Sequence, residues 1–466
     1  MSYLLVEKVK VAESQVVKIW QHQLLSRTEL TTEGGEPIRI IYPGRVNDGR
    51  GADFRDVVIA ISQRVIKGDV EVHVKSSEWR THRHHRDPAY NRVILHVVMW
   101  HDTEDATNLQ NGKSVPIIAL DKYIKSPISR LNQAYSPVSL SVPCLRAVEN
   151  MPTAAISEIL DTAGRGRFIA KASRFEADLA HTEASQCLYQ GIMGALGYSK
   201  NKLPCLELAR RVPLQILESV AQGAVTDEEG LAWQQALLLG TAGLLPSQRH
   251  SSYQINTSGD KWVDKLERLW AFSRQIEAMS QEDWHLFKVR PVNFPVRRIV
   301  AMSYLVLRYR GRGVLEGVVN ILKEAPLSGG HVRLERGLLV TTGGYWASHF
   351  DFGLPSGAKL PSLLGSGRAA DVVVNVLLPF IAAWSKLNSQ SELGRKAFAL
   401  YCSYPKLAVN TVERHMRNQL GLSSSLVSSA VRQQGLIHIY NSRCTQGGCD
   451  CCSLRGFVTL KPGGTA

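Results

Sequence analysis

The stretch Asp53–Ser76, DFRDVVIAISQRVIKGDVEVHVKS, decides how the chain is read. Its opening part, Asp53–Ser62 (DFRDVVIAIS), is rich in β-branched residues and reads as a strand that starts on a carboxylate. After a turn at Lys67-Gly68, Asp69–Ser76 (DVEVHVKS) alternates strictly, so Val70, Val72 and Val74 share one face and Asp69, Glu71, His73 and Lys75 the other. Asp53 and Glu71 thus sit on adjacent strands, where their side chains can converge. Hard carboxylate oxygens so placed suit Mg²⁺ or Mn²⁺, which polarises a phosphate and lowers the pKa of an attacking water. His73 and Lys75, on Glu71's face, are the candidates to orient or deprotonate that water.

Working outward, Glu13–Ser26 (ESQVVKIWQHQLLS) has helical spacing of apolar residues, Pro37–Pro43 (PIRIIYP) reads as a strand and Asn47–Ala52 (NDGRGA) as a turn. Beyond the central stretch, a short helix is expected near Asp87–Asn91 and a strongly apolar strand over Arg92–Trp100 (RVILHVVMW). The order helix, strand, strand, strand, short helix, strand, with an acid opening one strand and acid-x-base on the next, resembles the PD-(D/E)XK nuclease superfamily. That resemblance implies a restriction-endonuclease-like mixed sheet with flanking helices and metal-dependent hydrolysis of phosphodiester bonds. Asp53 matches the first acid and Glu71 the second. His73 stands where lysine is usual, Lys75 is displaced by one strand repeat, and Gly51-Ala52 replaces the proline-containing approach to the motif. A second resemblance covers nearly the whole chain: GDVEVHVKSSEWRTHRHHRDPAYNRVILHVV, RPVNFP and QGLIHIYNSRC are similar to a bacterial family of unknown function, the domain-of-unknown-function 2851 family, which carries no mechanism with it.

Between the two later strands lies WRTHRHHRD, with His82, His84, Arg80 and Arg86. His82 and His84 share parity and would point together from an extended segment, toward a metal or a phosphate. The whole run can equally serve as a cationic strip along a nucleic-acid backbone, with Trp79 and Tyr90 near it for stacking or, for Trp79, core packing. His96, inside an apolar strand, reads as a core histidine or a ligand.

Past Pro143 the texture becomes helical. Ile156–Asp161, Arg174–Gly191, Leu206–Ala221, Glu228–Leu239, Trp262–Met279, Pro295–Arg308, Ala369–Lys386 and Arg395–Leu420 read as helices. The expected class is α+β: a nuclease-like domain at 1–125, a mostly helical basic domain at 126–432 and a cysteine-rich tail at 433–466. Arg297 and Arg298, opening one helix, are candidate phosphate contacts. In the tail, Cys444, Cys449 and Cys452 have the spacing of ligands for Zn²⁺ or an iron–sulfur cluster, with Cys451, His438 or Cys402 as alternatives for the fourth position.

The chain carries 55 Lys and Arg against 41 Asp and Glu, a net charge of +14, which favours a polyanionic partner such as nucleic acid. The apolar runs near Ile299–Leu307 and Val372–Trp384 read as too short to cross a membrane, and the N-terminus lacks the pattern of a secretion signal, so a cytoplasmic location is expected. No phosphate-binding glycine loop or nucleophile elbow is present. The leading reading is a nuclease using Asp53, Glu71, and His73 or Lys75. The alternatives are a non-catalytic nucleic-acid-binding protein and a zinc-dependent hydrolase.

Overall fold

A computed structural model describes residues 11–26, 29–124, 148–149, 151–249, 257, 259–273, 276–286, 289–360 and 362–454. The change of texture at Pro143, the boundary between 125 and 126, and residues 455–466 of the tail lie outside the described residues. The chain forms two compact units: Met1–Ala163 with Val409–Leu426 and Gly435–Ala466, and Gly164–Ala408 with Val427–Gln434.

The first unit is built on a mixed sheet. Helix α1 (Glu13–His22) buries Val16, Ile19 and Trp20, the face that its apolar spacing predicts. Strands β1 (Glu29–Thr31), β2 (Pro37–Tyr42), β3 (Arg45–Val46), β4 (Phe54–Ile61) and β5 (Arg64–Lys75) follow, then the short helix α2 (Glu78–Thr81) and β6 (Val93–Trp100). A small hairpin of β7 (Thr107–Asn108) and β8 (Ser114–Val115) leads to β9 (Ile117–Ala119). The sheet order is β1-β2-β4-β5-β6-β9, with β3 beside β4; β2, β4 and β5 are antiparallel neighbours, whereas β6 runs parallel to β5. Val70, Val72, Leu95 and Val97 join Val16, Ile19 and Trp20 in one core. The alternation read from Asp69–Ser76 therefore holds, and its polar side faces away from that core.

The turn is elsewhere than expected. The β4–β5 connection is Ser62–Gln63, both with positive φ (45° and 72°), the backbone of a tight two-residue hairpin, and β5 runs unbroken through Lys67 and Gly68. Gly68 marks a close approach instead of a turn: a Cβ there would lie 2.3 Å from Ile94 Cγ2 and 2.5 Å from the Arg92 carbonyl oxygen. Gly68→Ala is accordingly expected to destabilise the protein by about 1–3 kcal/mol through overpacking, read as a lower denaturation midpoint. An unchanged midpoint would show that β6 yields at no cost.

The remaining elements, in both units, are mostly helices. Pro295–Arg308 has the bounds read from the sequence. Leu206–Ala221 is instead two helices, Lys202–Arg211 and Leu214–Gly223, because Pro213 between them has no amide hydrogen to donate. Arg395–Leu420 divides into Ser391–Cys402 and Thr411–Leu420 on either side of Pro405. Ile156–Asp161 is the start of one long helix, Thr153–Leu179, and the next, Ala184–Leu196, is capped by Glu183, whose carboxylate accepts the Gln186 N–H at 3.0 Å. Val314–Glu324, Gly330–Leu338 and Ala430–Ser442 are helices that the sequence reading passes over. The helical run Ser366–Leu387 is longer than the apolar run suggested and is long and apolar enough to cross a membrane, yet 61% of its apolar window is buried inside the protein.

Arg297 and Arg298 correct the phosphate expectation. Both are buried, Arg297 fully. Arg297 Nη1 donates to the carbonyl oxygens of Trp346 (3.0 Å) and His349 (2.7 Å); Arg298 donates from Nη1 to the Leu363 carbonyl and from Nη2 to Tyr198 Oη (3.0 Å) and Asn293 Oδ1. A guanidinium taken out of water must have its donors met inside the fold. These two tie loop carbonyls to the helix and are not presented to phosphate.

Candidate active site

The sheet brings Asp53 and Glu71 together through a β-bulge. Phe54 pairs with Val70 and Val57 with Gly68, so Arg55 and Asp56 stand opposite Asp69 alone, with Asp56 at φ 61°. Asp69 is buried and structural: it binds Arg55 Nη1 at 2.5 Å and accepts the Asp56 N–H at 3.3 Å. Just before the bulge, the Asp53 N–H donates to Glu71 Oε2 and the Val72 N–H donates to Asp53 Oδ2, each at 3.0 Å. The two carboxyls are thus locked beside each other by backbone amides.

Histidines fill the space next to Glu71. Parallel pairing sets His96 across from Glu71, and His73 Nδ1 lies 2.9 Å from His96 Nε2, whose Nδ1 lies 2.9 Å from Thr107 Oγ1. His96 is therefore a hydrogen-bonded core residue. His73 Nε2 is 3.1 Å from His82 Nδ1, and Glu71 Oε1 lies 3.2 Å from His84 Nε2 and 3.6 Å from His73 Nε2. His82 and His84 do converge, though not from an extended segment. His82 ends α2, Arg83 turns back in the left-handed region (φ 62°), and His84 starts a 3₁₀ turn, His84–Arg86. Asp87 anchors that turn by accepting the Ala89 N–H at 2.9 Å and a two-pronged ion pair from Arg50. Gly51 (φ 90°) lets the turn before Asp53 pass close by, since a Cβ would come within 2.9 Å of the Ala89 carbonyl oxygen.

Burial and like charge set the protonation. Burial, then the neighbouring Glu71 charge, pushes Asp53 up to about 7. Burial, with Glu13 adding negative charge, pushes Glu71 up to about 8. Burial and the surrounding imidazoles push His73 down to about 2, and burial takes His96 down to about 3, so both are neutral at ordinary pH. These shifts give a stability prediction for the metal-free protein. In the unfolded chain the acids release their protons near 3.9 and 4.3 and the histidines near 6.5. Below about pH 6.5 the unfolded histidines take up protons and oppose the effect of the acids; between about 6.5 and 8 the acids act alone. There the folded state binds more protons than the unfolded, so stability falls as pH rises, by about 1 kcal/mol per pH unit. Thermal unfolding across that window checks it, and Glu71→Gln should flatten the slope. A slope of the opposite sign would rule out protonated carboxyls at this site.

The other candidate residues separate from this group. Lys75 is exposed at the far end of β5, 3.8 Å from Asp102, and is not brought to Glu71. Arg80 pairs with Asp105 at 3.1 Å on the surface, and Arg86 is exposed beside His84. Trp79 is buried with Nε1 donating to the Asn108 carbonyl at 3.0 Å, so it packs and does not stack on bases. Tyr90 lies against His84, ring centroids 4.0 Å apart. Among the described residues, the one set of three or more His, Cys, Asp or Glu ligand atoms within 4.8 Å of one another is His73, His82 and His84. Cys444, Cys449 and Cys452 are not gathered in this way: Cys444 is buried, Cys451 is exposed, and two separate 3₁₀ turns, Cys444–Gln446 and Cys449–Cys451, divide them. Glu13, the first residue of α1, adds its charge to Asp53, Glu71 and His84. Sequence reasoning missed it, because only the packing of α1 on the sheet brings it there.

A family model described as "Protein of unknown function (DUF2851)" matches residues 13–407. The chain belongs to this family. The DUF2851 match takes in every residue of the carboxylate–histidine group, from Glu13 to His96, and stops short of Cys444–Cys452. No curated protein and no solved structure matches the chain.

Proposed function

We propose that this protein is a Mg²⁺- or Mn²⁺-dependent nuclease hydrolysing phosphodiester bonds, with Asp53 and Glu71 as the cation ligands. The observation that carries the reading is the interlocked pair: two carboxyls fixed side by side by the Asp53 and Val72 amides, both driven toward the protonated form by burial, with the charge of Glu71 adding to the rise in Asp53 and that of Glu13 to the rise in Glu71. Such a pair is poorly solvated by itself and becomes favourable when a cation neutralises it. Topology supports the same reading. Antiparallel β2, β4 and β5, then α2 and a parallel β6, with the acid before β4 and Glu-x-His on β5, accord with the mixed sheet that the resemblance to the nuclease superfamily implies.

A bound cation would polarise the phosphate and lower the pKa of the attacking water. His73 does not replace the usual lysine as a positive charge, being held neutral. Its role is to orient the attacking water through Nε2, with His96 fixing the ring. Positive charge at the site comes from Arg55, which opposes the rise in Glu71. The exposed Arg80, Arg83 and Arg86, with His82, form the adjoining strip that holds the nucleic-acid backbone.

Single- and double-stranded DNA and RNA incubated with the purified protein, with Mg²⁺ or Mn²⁺ and with chelator, test this. Metal-dependent cutting by the wild type and none by Asp53→Asn is the expected result. Salt-sensitive binding without cutting would replace the proposal by the non-catalytic reading.

A further inference from the structure

We propose that His73, His82 and His84, with Glu71 Oε1, form a nitrogen-rich site for one borderline divalent transition ion of the Zn²⁺ type, beside the hard carboxylate position at Asp53. The two carboxylate oxygens of Glu71 are divided between these positions. Oε2 faces Asp53 through its amide, and Oε1 faces the histidines, 3.2 Å from His84 Nε2 and 3.6 Å from His73 Nε2.

Three features point to a ligand and not to packing. The three imidazoles offer atoms mutually within 4.8 Å. Two nitrogens bound at about 2.1 Å in a tetrahedral site lie about 3.4 Å apart, so closing on an ion needs side-chain shifts on the order of 1 Å. Secondly, His84 Nε2 is buried and makes no well-directed hydrogen bond among the described residues, only the 3.2 Å approach to Glu71 Oε1. A ring nitrogen taken from water and left without a partner is costly unless something else engages it. Thirdly, the bonding behind the site sets the tautomer. If His73 Nδ1–H donates to His96 Nε2, then His96 Nδ1–H donates to Thr107 Oγ1, and the lone pair of His73 Nε2 is left facing His82 and His84. Metal-bound histidines are usually held by such an outer hydrogen bond. His82 is exposed, so the cluster opens to solvent and an ion can reach it. Three imidazoles and one carboxylate favour Zn²⁺-type ions over Mg²⁺.

This site shares Glu71 and His73 with the proposed nuclease site, but its test does not read activity. Chelator-stripped full-length protein is titrated with Zn²⁺ and with Co²⁺ alone, following stoichiometry by calorimetry and the visible absorption of nitrogen-coordinated Co²⁺. One equivalent is expected to bind in the presence of excess Mg²⁺. Loss of an outer partner already weakens metal sites by roughly 10–100-fold, so His82→Ala and His84→Ala should each weaken binding by at least about 100-fold. His82 is a surface residue, which keeps its variant folded, and circular dichroism confirms this for both. Cys449→Ser/Cys452→Ser separates the cysteine segment and should leave the equivalent in place. No uptake by the wild type, wild-type titration by the histidine variants, or loss of the equivalent only in the cysteine variant each overturns the proposal. Zn²⁺ uptake without cleavage would leave it standing while removing the nuclease reading, and Mg²⁺-dependent cleavage without Zn²⁺ uptake would do the reverse.

Discussion

Glu71→Gln is expected to lower metal-dependent phosphodiester cleavage by roughly 10²–10⁴-fold, the range over which single groups acting on the transition state contribute. Gln keeps the size of the side chain and an oxygen for the Asp53 N–H, so the 3.0 Å lock to β4 is preserved and the loss is chemical. Two effects follow from the one substitution. It removes a charge that a cation would need, and it relieves the burial of a carboxyl pushed up to about 8. The metal-free variant should therefore melt higher than the wild type at pH 8 while cutting far more slowly. Rate and melting temperature measured on the same preparation distinguish this from unfolding, which would lower both. A variant that cuts like the wild type would remove Glu71 from the mechanism.

Arg297→Ala is expected to destabilise the protein by about 3–5 kcal/mol, which combines a large-to-small change in the core with two backbone carbonyls left without their charged donor. The carbonyl oxygens of Trp346 and His349 lose partners at 3.0 and 2.7 Å, in surroundings dry enough to push the guanidinium down to about 10. Urea denaturation measures the loss. If Arg297 held phosphate instead, stability would stay put and the salt dependence of nucleic-acid binding would fall. That outcome would reverse the assignment made from burial.

The site was legible in the sequence to different depths. Asp53 and Glu71 could be paired because strand side chains repeat every two residues, and both the strands and the face were right even though the turn was misplaced by several residues. Ser62–Gln63 carries no glycine or asparagine to announce its positive φ, whereas Gly68 looks like a turn and is a packing contact. Lys75 shared Glu71's face but lay too far along β5, and Asp102 holds it at the surface. The convergence of His82 and His84 followed from the left-handed turn at Arg83, which parity does not foretell.

What the sequence by itself determined was periodicity and chemistry: the apolar face of α1, the alternation of Asp69–Ser76, and carboxylates placed at strand positions. Those are local properties, fixed by backbone geometry within a few residues. Tertiary structure alone decided which charges are buried and what they meet. It put Glu13 against the acids, turned the guanidiniums of Arg297 and Arg298 inward to loop carbonyls, gathered three histidines on Glu71 and left Cys444, Cys449 and Cys452 apart. Burial depends on what packs from distant parts of the chain, and the same arginine or histidine is a surface contact, a core brace or a ligand according to that packing alone.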